Sequence, residues 1–171
     1  MKKDEVRLAA DLQTDSIVDG LGIRTVIWFQ GCSHNCKDCQ NPLTHNFNGG
    51  FVIPLDRLLD EIAKLEGQTG ITLSGGDPFF QPYQAYMVSK KAHENNLNVW
   101  AYTGFTFEEL LSKMDTNQDL KNMMNEIDVL IDGKFDVNKK TLNCRFRGSS
   151  NQRVLDLPKS IKEKKAIKYM E

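Results

Sequence analysis

Four short runs rich in β-branched and aromatic residues alternate with segments of helical period. The runs are Arg24–Gln30 (R-T-V-I-W-F-Q), Ile71–Ser74, Leu97–Tyr102 and Asp128–Asp132 (D-V-L-I-D). Between the first two, Phe47-Asn48-Gly49-Gly50-Phe51 reads as a hairpin turn. A helix then opens at Pro54, with Leu55, Leu58, Leu59, Ile62 and Leu65 on one face and Gly67 as its cap. Pro82 opens another helix, with Tyr83, Tyr86 and Met87 on one face and Asn95-Asn96 at its end. Thr106 and Glu109 form a capping box, and a further helical segment surrounds Leu120 to Asn125. Strand–helix–strand order calls for parallel pairing through right-handed crossovers. A closed eight-stranded barrel takes about 250 residues, and this chain has 171. The expectation is therefore an α/β fold, a partial, open (β/α) barrel with mostly parallel strands. It forms one domain over residues 1–171, with a core at about 15–155 and a less regular, lysine-rich C-terminal tail.

Parallel α/β folds place their sites at the carboxyl ends of the strands. Each run here ends in a polar or glycine-rich loop: the Cys32–Cys39 loop, Gly75-Gly76-Asp77-Pro78, Thr103-Gly104 and Gly133-Lys134. The first carries Cys32, Cys36 and Cys39 in C-x3-C-x2-C spacing, with Cys144 far away. Three thiolates can hold three corners of a 4Fe–4S cube and leave the fourth iron open to a substrate. The alternative is structural zinc, with His34, His45 or Cys144 as fourth ligand. The glycine pair lets backbone groups approach a ligand, so that a carbonyl or the Asp77 carboxylate can receive an ammonium group.

Composition narrows the class. The formal net charge of −1 favours neither nucleic acid nor an anionic membrane as partner. The charged start Met1-Lys2-Lys3-Asp4-Glu5 has no apolar signal region, and the longest apolar stretch is too short to cross a bilayer. A cytoplasmic location follows, where cysteines serve metal or redox chemistry before disulfides.

The cysteine loop and the Gly75–Pro78 turn resemble the radical S-adenosylmethionine (radical SAM) enzymes. Within that superfamily the chain is similar to the activating proteins of anaerobic (class III) ribonucleotide reductase. Val18-Asp19-Gly20-Leu21-Gly22-Ile23-Arg24 resembles the approach to the first strand in glycyl-radical activases. Trp100–Gly104, Asp128–Phe135 and Arg147–Gln152 resemble blocks of the reductase activases. The resemblance implies the radical SAM type of partial barrel and one 4Fe–4S cluster on Cys32, Cys36 and Cys39. S-adenosylmethionine chelates the open iron, and Gly75, Gly76 and Asp77 seat its amino group. An electron from a donor such as flavodoxin breaks the sulfonium bond. The resulting 5′-deoxyadenosyl radical takes a hydrogen atom from a glycine of the large reductase subunit. The protein supplies geometry and exclusion of water and oxygen.

Many radical SAM enzymes carry an aromatic residue before the third cysteine, against adenine; Asp38 stands there in this chain. Backbone groups of Asp38, Cys39 and Gln40 are assigned that contact. Thr103, Asp132 and Lys134 resemble positions that touch S-adenosylmethionine or a nearby cation. Their plainer reading is strand-end capping and solvated charge. Arg24 reads as a surface or structural residue, Cys144 as a small buried one, and Trp100 and Phe146 as packing. Lys159, Lys162, Lys164, Lys165 and Lys168 read as a solvated tail. Competing functions are activation of a formate-lyase-type glycyl-radical enzyme, and a non-catalytic zinc or iron–sulfur module.

Overall fold

The structure, a computed structural model, describes residues 2–171. It begins with β1 (Glu5–Leu8), β2 (Gln13–Ser16), β3 (Arg24–Phe29) and β4 (Phe51–Pro54). Then come α1 (Leu55–Ala63), β5 (Gly70–Gly75), α2 (Pro82–Glu94), β6 (Asn98–Tyr102), α3 (Phe107–Met114), α4 (Gln118–Asn125) and β7 (Val129–Asp132). The chain closes with β8 (Arg153–Asp156), α5 (Leu157–Glu163) and β9 (Lys168–Met170). All strands join one sheet in the order β4-β1-β3-β5-β6-β7-β8-β9, with β2 also on β3.

The sheet is mixed rather than mostly parallel. The β3–β5, β5–β6 and β6–β7 pairs are parallel, and every other pair is antiparallel. Parallel pairing needs a long crossover, and α1, α2 and α3–α4 supply one to each parallel pair. No α-helix separates β1, β2, β3 and β4, and these pair antiparallel. The tail is also more ordered than expected. β8 returns against β7 and β9 against β8, while Leu157 and Ser160 of α5 are fully buried.

Strand alternation divides the sheet into two unlike faces. Ile27, Phe29, Ile71, Leu73, Val99, Ala101 and Leu130 point to a core closed by the α-helices. Trp100, Val129, Ile131 and Val154 point the other way, where Leu21, Tyr102, Phe146 and Met170 pack and no helix residue contributes. Trp100 and Phe146 meet edge to face at 5.3 Å, in the expected packing role.

Several local expectations need correcting. α1 buries Leu55, Leu58 and Ile62 but ends at Ala63, so Leu65 and Gly67 lie beyond it; the Lys64 N–H already closes on Glu61 and Ile62. In α2 Tyr83, Tyr86 and Met87 pack partly buried against the core as one face, while Ala85, Val88, Ser89 and Ala92 are buried outright, because small side chains allow close approach to the sheet and its neighbours. The Asn48-Gly49-Gly50 turn is real, but the strand after it pairs with β1, so it closes no hairpin. The capping box at α3 forms as expected, with both reciprocal bonds present.

Arg24 is a buried structural cation. Its Nε donates to Thr72 Oγ1 at 2.7 Å, and its Nη1 to Asn98 Oδ1 at 2.7 Å and the Leu21 carbonyl at 3.0 Å. Desolvation pulls its pKa down to about 10, against the raising fields of Asp128, Tyr102 and Asp19. Gly70 is required here, since a Cβ would stand 2.7 Å from Arg24 Nη1. Arg24 thereby ties the Asp19–Gly22 loop to the amino ends of β3, β5 and β6. Among the described residues, no helix is long and apolar enough to cross a membrane.

Candidate iron–sulfur site

A cleft of about 440 Å³ opens on the helix-free face at the carboxyl ends of the parallel strands. Cys32, Cys36 and Cys39 all line it, opposite Gly75, Gly76 and Gly104. The register explains the convergence, since Phe29, the last residue of β3, lies beside Gly75, the last of β5. The chain beyond Phe29 therefore faces the glycine turn.

The cysteine loop has no regular structure and is held by cross-links. Gly31 N–H donates to the Thr44 carbonyl at 2.8 Å, Cys32 N–H to His45 at 3.1 Å, and Asp77 N–H to Gly31 at 3.0 Å. Asn35 and Asp38 take positive φ, 51° and 55°, and turn the loop between successive cysteines. Gly76 cannot be larger: a Cβ there would meet the Gly31 carbonyl oxygen at 2.5 Å.

One residue organises the surroundings. Asp77 is 1% exposed. Its Oδ2 accepts from Thr103 Oγ1 at 2.8 Å and Gly104 N–H at 3.0 Å, and bonds His34 Nε2 at 2.7 Å. Its Oδ1 accepts from Phe79 N–H at 2.9 Å. The His34 ring lies among Phe80 and Phe105, at 5.5 and 4.6 Å between centroids. A Cβ at Gly104 would strike that ring at 2.4 Å. Asp77 thus fastens the cysteine loop to the ends of β5 and β6.

The donor set fits an iron–sulfur cluster. Thiolate sulfur is its natural ligand, and N–H donors around sulfur tune such centres. Here Asn41 N–H donates to Cys39 Sγ at 3.4 Å. Backbone N–H groups of His34 and Phe135 likewise favour the thiolates of Cys32 and Cys36. Burial still dominates: it pushes Cys32 up to about 11 and raises Cys36, whose thiolate Lys134 favours. Binding iron then releases protons from both. Among the described residues, no three His, Cys, Asp or Glu side chains converge to single-ion spacing. Of the candidate fourth zinc ligands, His34 is committed to Asp77, His45 lines the cleft, and Cys144 is half-buried outside it.

The residues expected to hold a cofactor separate into two groups. Cys39, Gln40, Gly75, Gly76 and Thr103 line the cleft. The side chains of Asp38, Asp77, Asp132 and Lys134 are not part of that lining. Asp77 is turned inward as described. Asp132, 1% exposed, accepts from Phe107 N–H at 2.7 Å and from Arg153 Nε at 2.9 Å, so its carboxylate faces α3 and β8. Asp38 and Lys134 are exposed beside the cleft. Sequence reasoning assigned no ligand contact to Asp19, Tyr102 or Arg147, all of which line it. Asp19 and Arg147 were visible only as members of family-like blocks.

Three thiols at the carboxyl ends of parallel strands, each beside a backbone N–H, define an iron–sulfur protein of the α/β class. The family described as "4Fe-4S single cluster domain" matches residues 18–155. Similar curated proteins are the anaerobic ribonucleoside-triphosphate reductase-activating proteins of three sources. That of Pasteurella multocida is 36% identical over 147 residues, covering 80% of this chain and 89% of the relative. That of Enterobacteria phage T4 is 32% identical over 144 residues, covering 80% and 86%. That of Escherichia coli K12 is 33% identical over 147 residues, covering 81% and 91%. The chain belongs to this single-cluster family and, within it, to the anaerobic ribonucleoside-triphosphate reductase-activating proteins. Part of the chain also superposes on the crystal structure of QueE from Escherichia coli, with TM-score 0.49 and 14% identity, covering 60% of this chain and 54% of that one.

Proposed function

We propose that this protein is a radical SAM activase that generates a glycyl radical on anaerobic ribonucleotide reductase. The observation that carries the reading is the convergence of Cys32, Cys36 and Cys39 with the open backbone of Gly75 and Gly76 on one cleft. When bound, the cluster and S-adenosylmethionine supply one-electron cleavage of a sulfonium and removal of a hydrogen atom from a partner glycine. Cys32, Cys36 and Cys39 would hold the cluster, three thiolates for its four irons. Carbonyls of Gly75 and Gly76 take the amino group, and the backbone at Cys39 and Gln40 takes adenine. Thr103 and Asp77 act through His34, by fixing the cysteine loop, and Asp132 acts through Arg153 and α3. The aromatic wall of Phe47, Phe80 and Phe105 limits water behind the loop. We further infer a partial, open barrel of the radical SAM type in a single domain. A low-potential donor such as flavodoxin supplies the electron in the cytoplasm.

The test is anaerobic. Reconstituted, reduced protein is expected to release 5′-deoxyadenosine from S-adenosylmethionine, and to raise a glycyl radical signal by electron paramagnetic resonance when reductase is added. A protein loaded with its cluster that releases none under strong reductant refutes the reading.

A further inference from the structure

We infer that Arg147, and not Lys134, anchors the carboxylate of the amino-acid ligand in the cleft. The inference rests on the S-adenosylmethionine reading above and identifies the residue that recognises one end of that ligand.

Among the residues lining the cleft, Arg147 is the one lysine or arginine and Asp19 the one carboxylate. Arg147 is half-buried, and its Nε is buried with no hydrogen-bond partner. A buried, unpaired donor on a cation is costly, and the remedy is an acceptor delivered from the cleft. The guanidinium is also held in place. Its Nη1 donates to the Gln152 carbonyl at 2.9 Å. The Gln152 side chain accepts from Gly148 N–H at 2.9 Å and donates to the Gly133 carbonyl at 3.0 Å, so the Arg147 loop is fastened to the end of β7. The Nε edge of the fork is left free, and that edge suits a carboxylate. Glu171, whose carboxylate feels its field, is itself bonded to Lys168 at 2.8 Å. Lys134 is exposed and does not line the cleft.

A cleft with one cation and one anion complements a zwitterion. The ligand's carboxylate meets Arg147, while the ammonium on the same carbon turns toward the carbonyls of Gly75 and Gly76, in a cleft that Asp19 also lines. Arg147 is therefore a binding residue whose loss is felt through one functional group of the ligand.

The test is equilibrium dialysis of cluster-loaded protein against two probes, S-adenosylmethionine and its decarboxylated analogue, with iron and sulfide measured on each preparation. Arg147→Gln is expected to weaken S-adenosylmethionine by about tenfold to a hundredfold, and to leave the decarboxylated analogue within about twofold. Arg147→Lys is expected to recover part of the loss. Three results overturn the assignment: unchanged affinity in Arg147→Gln, an equal loss for both probes, or a carboxylate-dependent loss carried by Lys134→Gln instead. Wild-type protein that holds its cluster and binds neither probe refutes the underlying function, an outcome distinct from all three.

Discussion

Replacing Asp77 with Ala tests whether this carboxylate serves the ligand or the protein. In the structure it is 1% exposed and is bonded by Phe79 N–H, Thr103 Oγ1, Gly104 N–H and His34. Hydrogen bonds to a charged group contribute about 1.5–3 kcal/mol each, and buried donors left unpaired cost about 1–3 kcal/mol. These terms are not additive, because removing the carboxylate also relieves its own desolvation. A net loss of about 3–4 kcal/mol follows. For a chain of this size each kcal/mol moves the thermal midpoint by about 2–4 °C, so Asp77→Ala lowers it by roughly 6–16 °C. Asp77→Asn keeps an acceptor for Phe79 and can donate to His34 in its other tautomer, so it loses chiefly the Gly104 bond, about 1–2 kcal/mol. The assay is urea and thermal unfolding of cluster-free protein with no S-adenosylmethionine present. Iron uptake during anaerobic reconstitution is measured in parallel and is expected to fall in the same order. A ligand contact alone has no reason to move the cluster-free protein. A loss below about 1 kcal/mol in Asp77→Ala, with normal iron uptake, refutes the role given to this residue.

Two other expectations are simpler. Iodoacetamide should modify Cys32 slowest in the cluster-free protein, because burial pushes its thiol to about 11. Cluster loading should then protect Cys32, Cys36 and Cys39 and leave Cys144 open; mass spectrometry of the labelled peptides reads both effects, and protection of Cys144 instead contradicts the ligand set. His93 should make stability depend on pH. Burial pulls its imidazolium down, but the bonds to Asp128 and Glu126 outweigh that and raise its pKa above 6.5. Its contribution, about 0.5–1 kcal/mol for a partly exposed pair, is full below pH 6.5 and disappears as pH rises through the raised value. The stability gap between wild type and His93→Gln should therefore shrink from pH 6 to pH 8.5, and a gap that widens reverses the sign of the argument.

The sequence revealed most where chemistry is local. The central strands, the α3 capping box and the clustering of the strand-end loops all follow from patterns a few residues long. β1, β2 and β4 escaped because they are short and half-exposed, and take their identity from partners distant in the chain. Leu8 pairs with Phe51, and Gln13 with Val26. The same holds for side chains. The capping reading of Asp132 needed no knowledge of β8, but its bond to Arg153 did, since Arg153 lies directly opposite it across the β7–β8 register. Asp77 was read toward an ammonium group because nothing along the chain announces His34 and Thr103 beside it. Arg147 stood in a noted block, but only the three-dimensional placement of Gln152 reveals which edge of its fork is unoccupied.

The one-sided distribution of helices has a consequence for how this protein tolerates change. Its back is a densely packed slab and its front a set of pinned loops, separated by a single layer of strands. Alterations behind that layer act by melting the molecule; ahead of it, those at the Trp100 cluster, Arg24 or Asp77 also loosen it, and only those at the open cleft wall spoil the chemistry of an otherwise sound scaffold. Loss of function without loss of the fold is therefore confined to one side of the sheet, whereas failure to fold can begin on either.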